Sequence, residues 1–166
     1  MRLILISALF SLLTVPVMAA SQCYQPEELR AEQLLRLHSE LMVITVTCRK
    51  SSVGEDLVPK YTRFTKNNIK ALHDAEQTLI HYYKANAGNG ISQLDKLRTK
   101  LGNEYGQEIA DASAPLFCGE RRDKVVALYK AAPEQIELEV DRMVDQEHSY
   151  VSACSSGRTR IAKHNK

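Results

Sequence analysis

The chain has 166 residues, 22 basic and 20 acidic side chains, a net charge of +2, and no tryptophan. That length suits one domain with a single core. Near-balanced charge excludes strong attraction of the whole molecule to nucleic acid.

Residues 1–20 have the order of a secretory signal. Arg2 supplies a positive start, residues 3–15 are almost wholly apolar, Pro16 breaks the run, and Val17, Met18, Ala19 and Ala20 lead into a cleavage site. Cleavage after Ala19 or after Ala20 fits equally well. The run is shorter than the ~20 residues that span a bilayer, and no second long apolar run follows. Cys23 lies too far downstream to suggest a lipid-modified terminus. Residues 21–154 are expected to form a disulfide-bridged helical domain, soluble and exported, and residues 155–166 a basic disordered tail.

Helical periodicity then runs nearly throughout. Residues 26–49 predict a helix. Pro26 suits its first position, Glu27 and Glu28 complement the dipole, and Leu34, Leu37, Leu41, Ile44 and Cys48 share one face. A second helix is expected over 56–86, with Leu57, Tyr61, Phe64, Asn68, Ala75, Leu79 and Tyr82 inward and Leu72 beside them. Gly88 and Gly90 end it. A third covers 92–112, with Leu94, Leu97, Leu101, Tyr105 and Ile109 inward and Pro115 as its stop. From about residue 120, Val125, Leu128, Ala132, Ile136, Val140, Met143, Tyr150 and Cys154 keep one phase across Pro133. That predicts two helices, or one helix kinked there.

All four cysteines lie beyond residue 20, and an even count in an exported chain reads as two disulfides. A helix of about 24 residues separates Cys23 from Cys48 by roughly 36 Å, whereas a disulfide needs Cα atoms within about 7 Å. Short connections make successive helices antiparallel. Cys48 then meets Cys118 at one pole, and Cys23 meets Cys154 at the other. The expected fold is an all-α, up-down bundle of four or five helices with two disulfides.

Residues 31–33 (Ala31, Glu32, Gln33), the run His38, Ser39, Glu40, Leu41, Met42, Val43, Ile44 through Cys48, and the later Phe117 and Cys118 resemble small exported helical proteins of Gram-negative bacteria that have no assigned function. The resemblance implies a periplasmic location and carries over no catalytic residues.

Candidate chemistry is sparse. His73 and Glu76 stand three apart, as do Asp145 and His148, and a metal site shared between those helices is the one metal candidate; His81 is swung away from Glu76. There is no C-x-x-C-H for covalent haem; Met42 and His148 are the residue types for a non-covalent one. Asn68 and Glu147 fall in apolar register, and a buried Glu147 has the makings of a general acid. His38 and Glu40 border the first stripe on different faces. Tyr61, Tyr82, Tyr83, Tyr105, Tyr129 and Tyr150 supply hydroxyls that need partners or could line a pocket. Hydrolase, zinc-protease and phosphate-loop motifs are absent. In the tail, Arg158, Arg160, Lys163 and Lys166 offer weak contact with an anionic surface, without aromatics for base stacking.

The expected function is that of an exported, non-enzymatic binding or envelope-associated protein, with no cofactor assigned and no nucleic-acid partner. Two alternatives are a metal- or haem-binding bundle and a cell-wall-active enzyme using helix carboxylates.

Overall fold

A computed structural model describes residues 22–50, 56–146 and 149–154. The expected signal segment, the basic tail, Glu147 and His148 lie outside these residues. Six α-helices follow one another: α1 (Pro26–Thr47), α2 (Leu57–Asn67), α3 (Ile69–Ala87), α4 (Gly90–Ala112), α5 (Ala114–Leu128) and α6 (Pro133–Asp145). A 3-10 turn, Cys48–Lys50, extends α1.

Six helices still make four legs, because two legs are broken. The second breaks at Asn68, whose backbone leaves helical geometry (φ −109°, ψ 13°). Its side-chain Nδ2 donates to the Phe64 carbonyl at 2.9 Å. The polar residue expected within a continuous 56–86 helix is thus the joint between two. The last leg breaks over residues 129–132. Pro133 neither kinks nor ends a helix; it occupies the first turn of α6, where a missing N–H costs nothing. Pro115 likewise sits in the first turn of α5, not at the stop of α4. Ser113 (φ 73°) turns the chain between them.

Local chemistry fixes the other ends. Glu28 accepts from the Gln25 backbone N–H at 2.6 Å, Asp56 from Val58 N–H at 3.0 Å and Asn89 from Ser92 N–H at 3.1 Å, which satisfies donors a helix start leaves open. Gly88 closes α3 at φ 78°. Gly90 is needed for another reason: a Cβ there would lie 2.3 Å from the Ile80 carbonyl oxygen.

α1 is the hub, packed by α2, α3, α4, α5 and α6. Two apolar clusters share it. One joins Leu37, Leu41 and Ile44 to Phe64, Phe117, Val125, Ile136 and Val140. The other joins Leu29 and Leu35 to Leu72, Leu79, Leu94, Leu97 and Leu101. Most of the predicted core-stripe residues fall in these clusters, with Leu34, Tyr61, Ile109 and Leu128 at their half-buried margins. Ala132 and Tyr150 depart from expectation: both are exposed, Ala132 in the break and Tyr150 beyond the end of α6.

The disulfides are Cys23–Cys154 and Cys48–Cys118, with Cα–Cα distances of 4.9 and 5.5 Å. Cys154 is not a helix end, however. Residues 149–154 form a strap in which Tyr24 N–H donates to Ser152 (2.9 Å) and Cys154 N–H to Tyr24 (2.8 Å), a single bridge between Tyr24 and Ala153. Two disulfides fit a chain that folds outside a reducing compartment. Among the described residues no helix is long and apolar enough to cross a membrane.

Candidate functional site: a charged cleft over the central helix

α6 packs on α1 but makes little contact with α3 or α4. A groove therefore opens on each side of it. The groove toward α3 has Ala31, Leu34, Ala75 and Val140 among its walls and is largely apolar. The groove toward α4 is a cleft of about 300 Å³ lined by Gln33, Arg36 and Glu40 of α1, Glu104, Tyr105 and Glu108 of α4, Arg121 and Lys124 of α5, and Arg142 and Met143 of α6, with Gln146 just beyond.

Its floor is unusual. Gln33, Arg36 and Glu40 occupy positions i, i+3 and i+7 of α1, so one helix face presents them together. All three are buried, as is neighbouring Glu32. Burying charge is costly unless it is paired, and here the partners come from the surrounding helices. Glu40, 3% exposed, accepts from Arg121 at 3.0 Å and Lys124 at 2.7 Å. Arg121 also reaches Glu108 at 2.8 Å. Lys124 lies 3.2 Å from Glu139, which Arg142 grips with two donors at 2.9 and 2.6 Å. That grip, and secondarily Lys124, holds the Glu139 carboxyl below the usual range against the effect of burial.

Arg36 is held differently. Its Nη1 donates to Glu104 at 2.6 Å. Its Nη2 lies 3.7 Å from Glu32 Oε1, beyond hydrogen-bond reach. Its Nε has no hydrogen-bond partner among the described residues. Burial opposes its charge, but Glu104 first, with Tyr105 and Glu32 behind it, raises its pKa above the ordinary value. Tyr150 of the strap lies against the guanidinium, 5.0 Å from ring centre to Cζ, with Lys100 on it at 3.9 Å. The Tyr150 hydroxyl donates to Glu104. Burial and Glu104 push that hydroxyl up to about 12.

Glu32 closes the buried end. Oε1 accepts from Tyr150 N–H at 2.9 Å. Oε2 has no partner in hydrogen-bonding geometry among the described residues, although Tyr24 is close enough to favour the charge. Burial dominates and raises the Glu32 pKa; Tyr150, Tyr24 and Arg36 only partly offset it.

The sequence-predicted candidates lie elsewhere. His73 and His81 are exposed on α3. Glu76 is taken by Arg98 of α4. Asp145 is exposed at the end of α6, beside Leu29, Ser149 and Ser152. Among the described residues no three His, Cys, Asp or Glu side chains are placed to hold a metal ion. Met42 is exposed on α1, and its haem counterpart His148 lies outside the described residues. His38 bonds Tyr61 at 2.8 Å away from the cleft, and burial lowers its pKa. The tyrosines are dispersed. Tyr24 and Tyr83 share a 2.7 Å hydrogen bond, Tyr82 packs edge-on against both, Tyr129 lies under Lys60 and Lys130, and of the set only Tyr105 lines the cleft.

Of the cleft residues, sequence reasoning singled out Glu40 and Tyr105 and missed Gln33, Arg36, Arg121 and Lys124. The usable signal was complementary spacing: Arg36 and Glu40 on one helix, Glu104 and Glu108 on another, Arg121 and Lys124 on a third.

No known protein family, curated protein sequence or solved structure matches the chain.

Proposed function

We propose that this is an exported, non-enzymatic binding protein, periplasmic or secreted, whose α1–α4–α5–α6 cleft takes a small polar solute. One observation carries the proposal: a helix at the centre of the fold places three buried polar residues, Gln33, Arg36 and Glu40, where they face a cleft. Purely structural packing would place apolar side chains there at lower cost. The cleft's volume is at the lower limit for ligand sites, about 300 Å³, which suits a metabolite-sized solute. Its carboxylates are met by guanidinium or ammonium groups, an arrangement suited to holding charge. The signal-like residues 1–20 and the two disulfides support export.

Thermal unfolding of the oxidised protein with a panel of small charged and neutral polar solutes tests the proposal. A ligand that binds only the folded state raises Tm with concentration. One class of solute is expected to do so, and Arg121→Ala, which alters the cleft rim, should weaken the effect. A panel without a saturable shift, or shifts indifferent to Arg121→Ala, would overturn it. Osmotic-shock fractionation tests the location.

A further inference from the structure

We propose that residues 155–166 dock in cis on the apolar groove between α3 and α6, with Ile161 inserted between the helices and the cations around it on the acidic rim. This surface lies on the other side of α6 from the charged cleft, and the inference does not rest on the binding function proposed above.

Small side chains leave the groove open. Ala31 of α1 and Ala71 and Ala75 of α3 line it opposite Ile136 and Val140 of α6, and α3 and α6 make little contact. The gap measures about 260 Å³. That is below the roughly 300–1,000 Å³ of small-molecule sites, and it suits an inserted side chain better than a whole metabolite. Left unfilled, the apolar walls forgo contacts that a packed interior makes.

The rim is acidic. Among the described residues that border the groove, Glu27, Asp74 and Glu137 face one cation, Arg30. Arg30 is paired with Asp141 and Asp74 with Lys70. Glu27 and Glu137 are exposed and enter no ion pair among the described residues.

Charge and reach identify the occupant. All 20 acidic side chains lie within residues 21–154, whereas residues 155–166 hold Arg158, Arg160, Lys163 and Lys166 and no acid. Ile161 is the large aliphatic residue of that segment, with cations on both sides of it. That pattern complements an apolar floor with an acidic rim. The segment also starts close by. Cys154 is bridged to Cys23, and Ala153 pairs with Tyr24, just before α1 begins at Pro26. From Pro26, α1 advances roughly 8 Å to Ala31 and roughly 12 Å to Leu34. The seven residues from Cys154 to Ile161 extend up to roughly 23 Å. A short tether supplies an effective concentration on the order of millimolar, so one isoleucine and a few charges suffice to fill the groove.

Amide NMR of the disulfide-bonded mature chain tests the contact, comparing wild type with Ile161→Asp and Glu137→Lys. In wild type at low salt, amides of residues 158–163 should relax as the helices do. Ile161→Asp should return them to free-chain relaxation, shift amides of residues 27–34, 71–78 and 136–140, and lower the docked-to-free ratio about tenfold or more. Glu137→Lys, at an exposed position that should not disturb folding, should lower the ratio several-fold, as should 1 M salt in wild type. If residues 158–163 relax as a free chain in wild type, or Ile161→Asp leaves the groove amides unmoved, the proposal fails. Groove shifts that grow with protein concentration would assign the occupant to a second copy. Ordering of residues 158–163 only on addition of phosphatidylglycerol vesicles would place the segment on a lipid surface. Either result overturns docking in cis.

Discussion

Glu32 and Glu139 are carboxylates of the same helical assembly with opposite electrostatic fates. Burial raises the Glu32 pKa above its ordinary value of 4.5. The folded state therefore binds its proton more readily than the unfolded chain. Its contribution to stability is fully present below the ordinary value and is lost as pH rises through the raised one. Arg142 and Lys124 lower the Glu139 pKa, so its contribution is present above the ordinary value and is lost as pH falls through the lowered one. Two variants separate these effects. Glu32→Gln keeps an acceptor for Tyr150 N–H and removes a poorly compensated charge, so its stability relative to wild type should improve as pH rises from the ordinary carboxyl value through the raised one. Glu139→Gln should be at its greatest disadvantage near neutrality and regain ground in acid. Urea unfolding at fixed pH values reads both. A Glu32→Gln protein that loses ground as pH rises would mean that its partners, not burial, govern Glu32.

Among the elements, the break before α6 makes the sharpest claim, because a helix kinked at a proline and a helix begun by one respond oppositely to its removal. In a continuous helix, Pro133→Ala would restore a hydrogen bond and relieve a clash worth about 3 kcal/mol. At the first turn, where Pro133 sits, it should change unfolding free energy by less than about 1 kcal/mol. A gain near the larger figure would restore the kinked-helix description. The same element shows how far sequence reasoning reached. Hydrophobic phase carried it correctly through Val125, Ile136, Val140 and Met143, all buried. Phase does not record whether the backbone between two in-phase residues is helical, so it left open whether Pro133 separates two helices or kinks one, and it did not reveal the non-helical strap at residues 149–154. Asn68 is a parallel case: its in-register position was legible, but its use as a joint depends on a side-chain bond to Phe64. For α1 the gap is larger. Its apolar stripe predicted one buried face, yet neighbours cover the other sides too and bury Glu32, Gln33, Arg36 and Glu40. Enclosure is a property of the assembled legs, and no residue of α1 encodes it alone. The cleft was illegible for that reason, while the disulfide pairing, which follows from helix length and leg direction, was legible.

At the scale of the whole molecule, the strap links the two ends of the fold to the floor of the cleft. Cys23–Cys154 spans 131 residues of sequence. On the chain-entropy model a loop of about 100 residues confers about 4.7 kcal/mol, and removing the bridge costs that or less. The location of the loss is more informative than its size. Residues 149–154 are held by the bridge and by the pair of backbone hydrogen bonds to Tyr24, and they in turn place Tyr150 over Arg36, Glu104 and Glu32. Cutting the tether with Cys23→Ser and Cys154→Ser together should therefore do more than lower stability uniformly. Amide exchange should rise first in residues 149–154 and at Tyr24, and the loss of Tyr150 N–H should leave Glu32 with still less compensation, steepening the decline of stability with rising pH. The bridge between Cys48 and Cys118, at the other pole, touches neither Tyr150 nor Glu32. Cys48→Ser with Cys118→Ser should cost a comparable few kcal/mol while leaving the pH slope and the exchange of the strap near those of the intact protein. Hydrogen exchange and pH-dependent urea unfolding of both double variants distinguish a strap that supports the cleft from two interchangeable staples. Equal pH slopes in the two would show that the strap keeps its place without its disulfide, and that the hydrogen bonds to Tyr24 and Glu32 suffice to hold it.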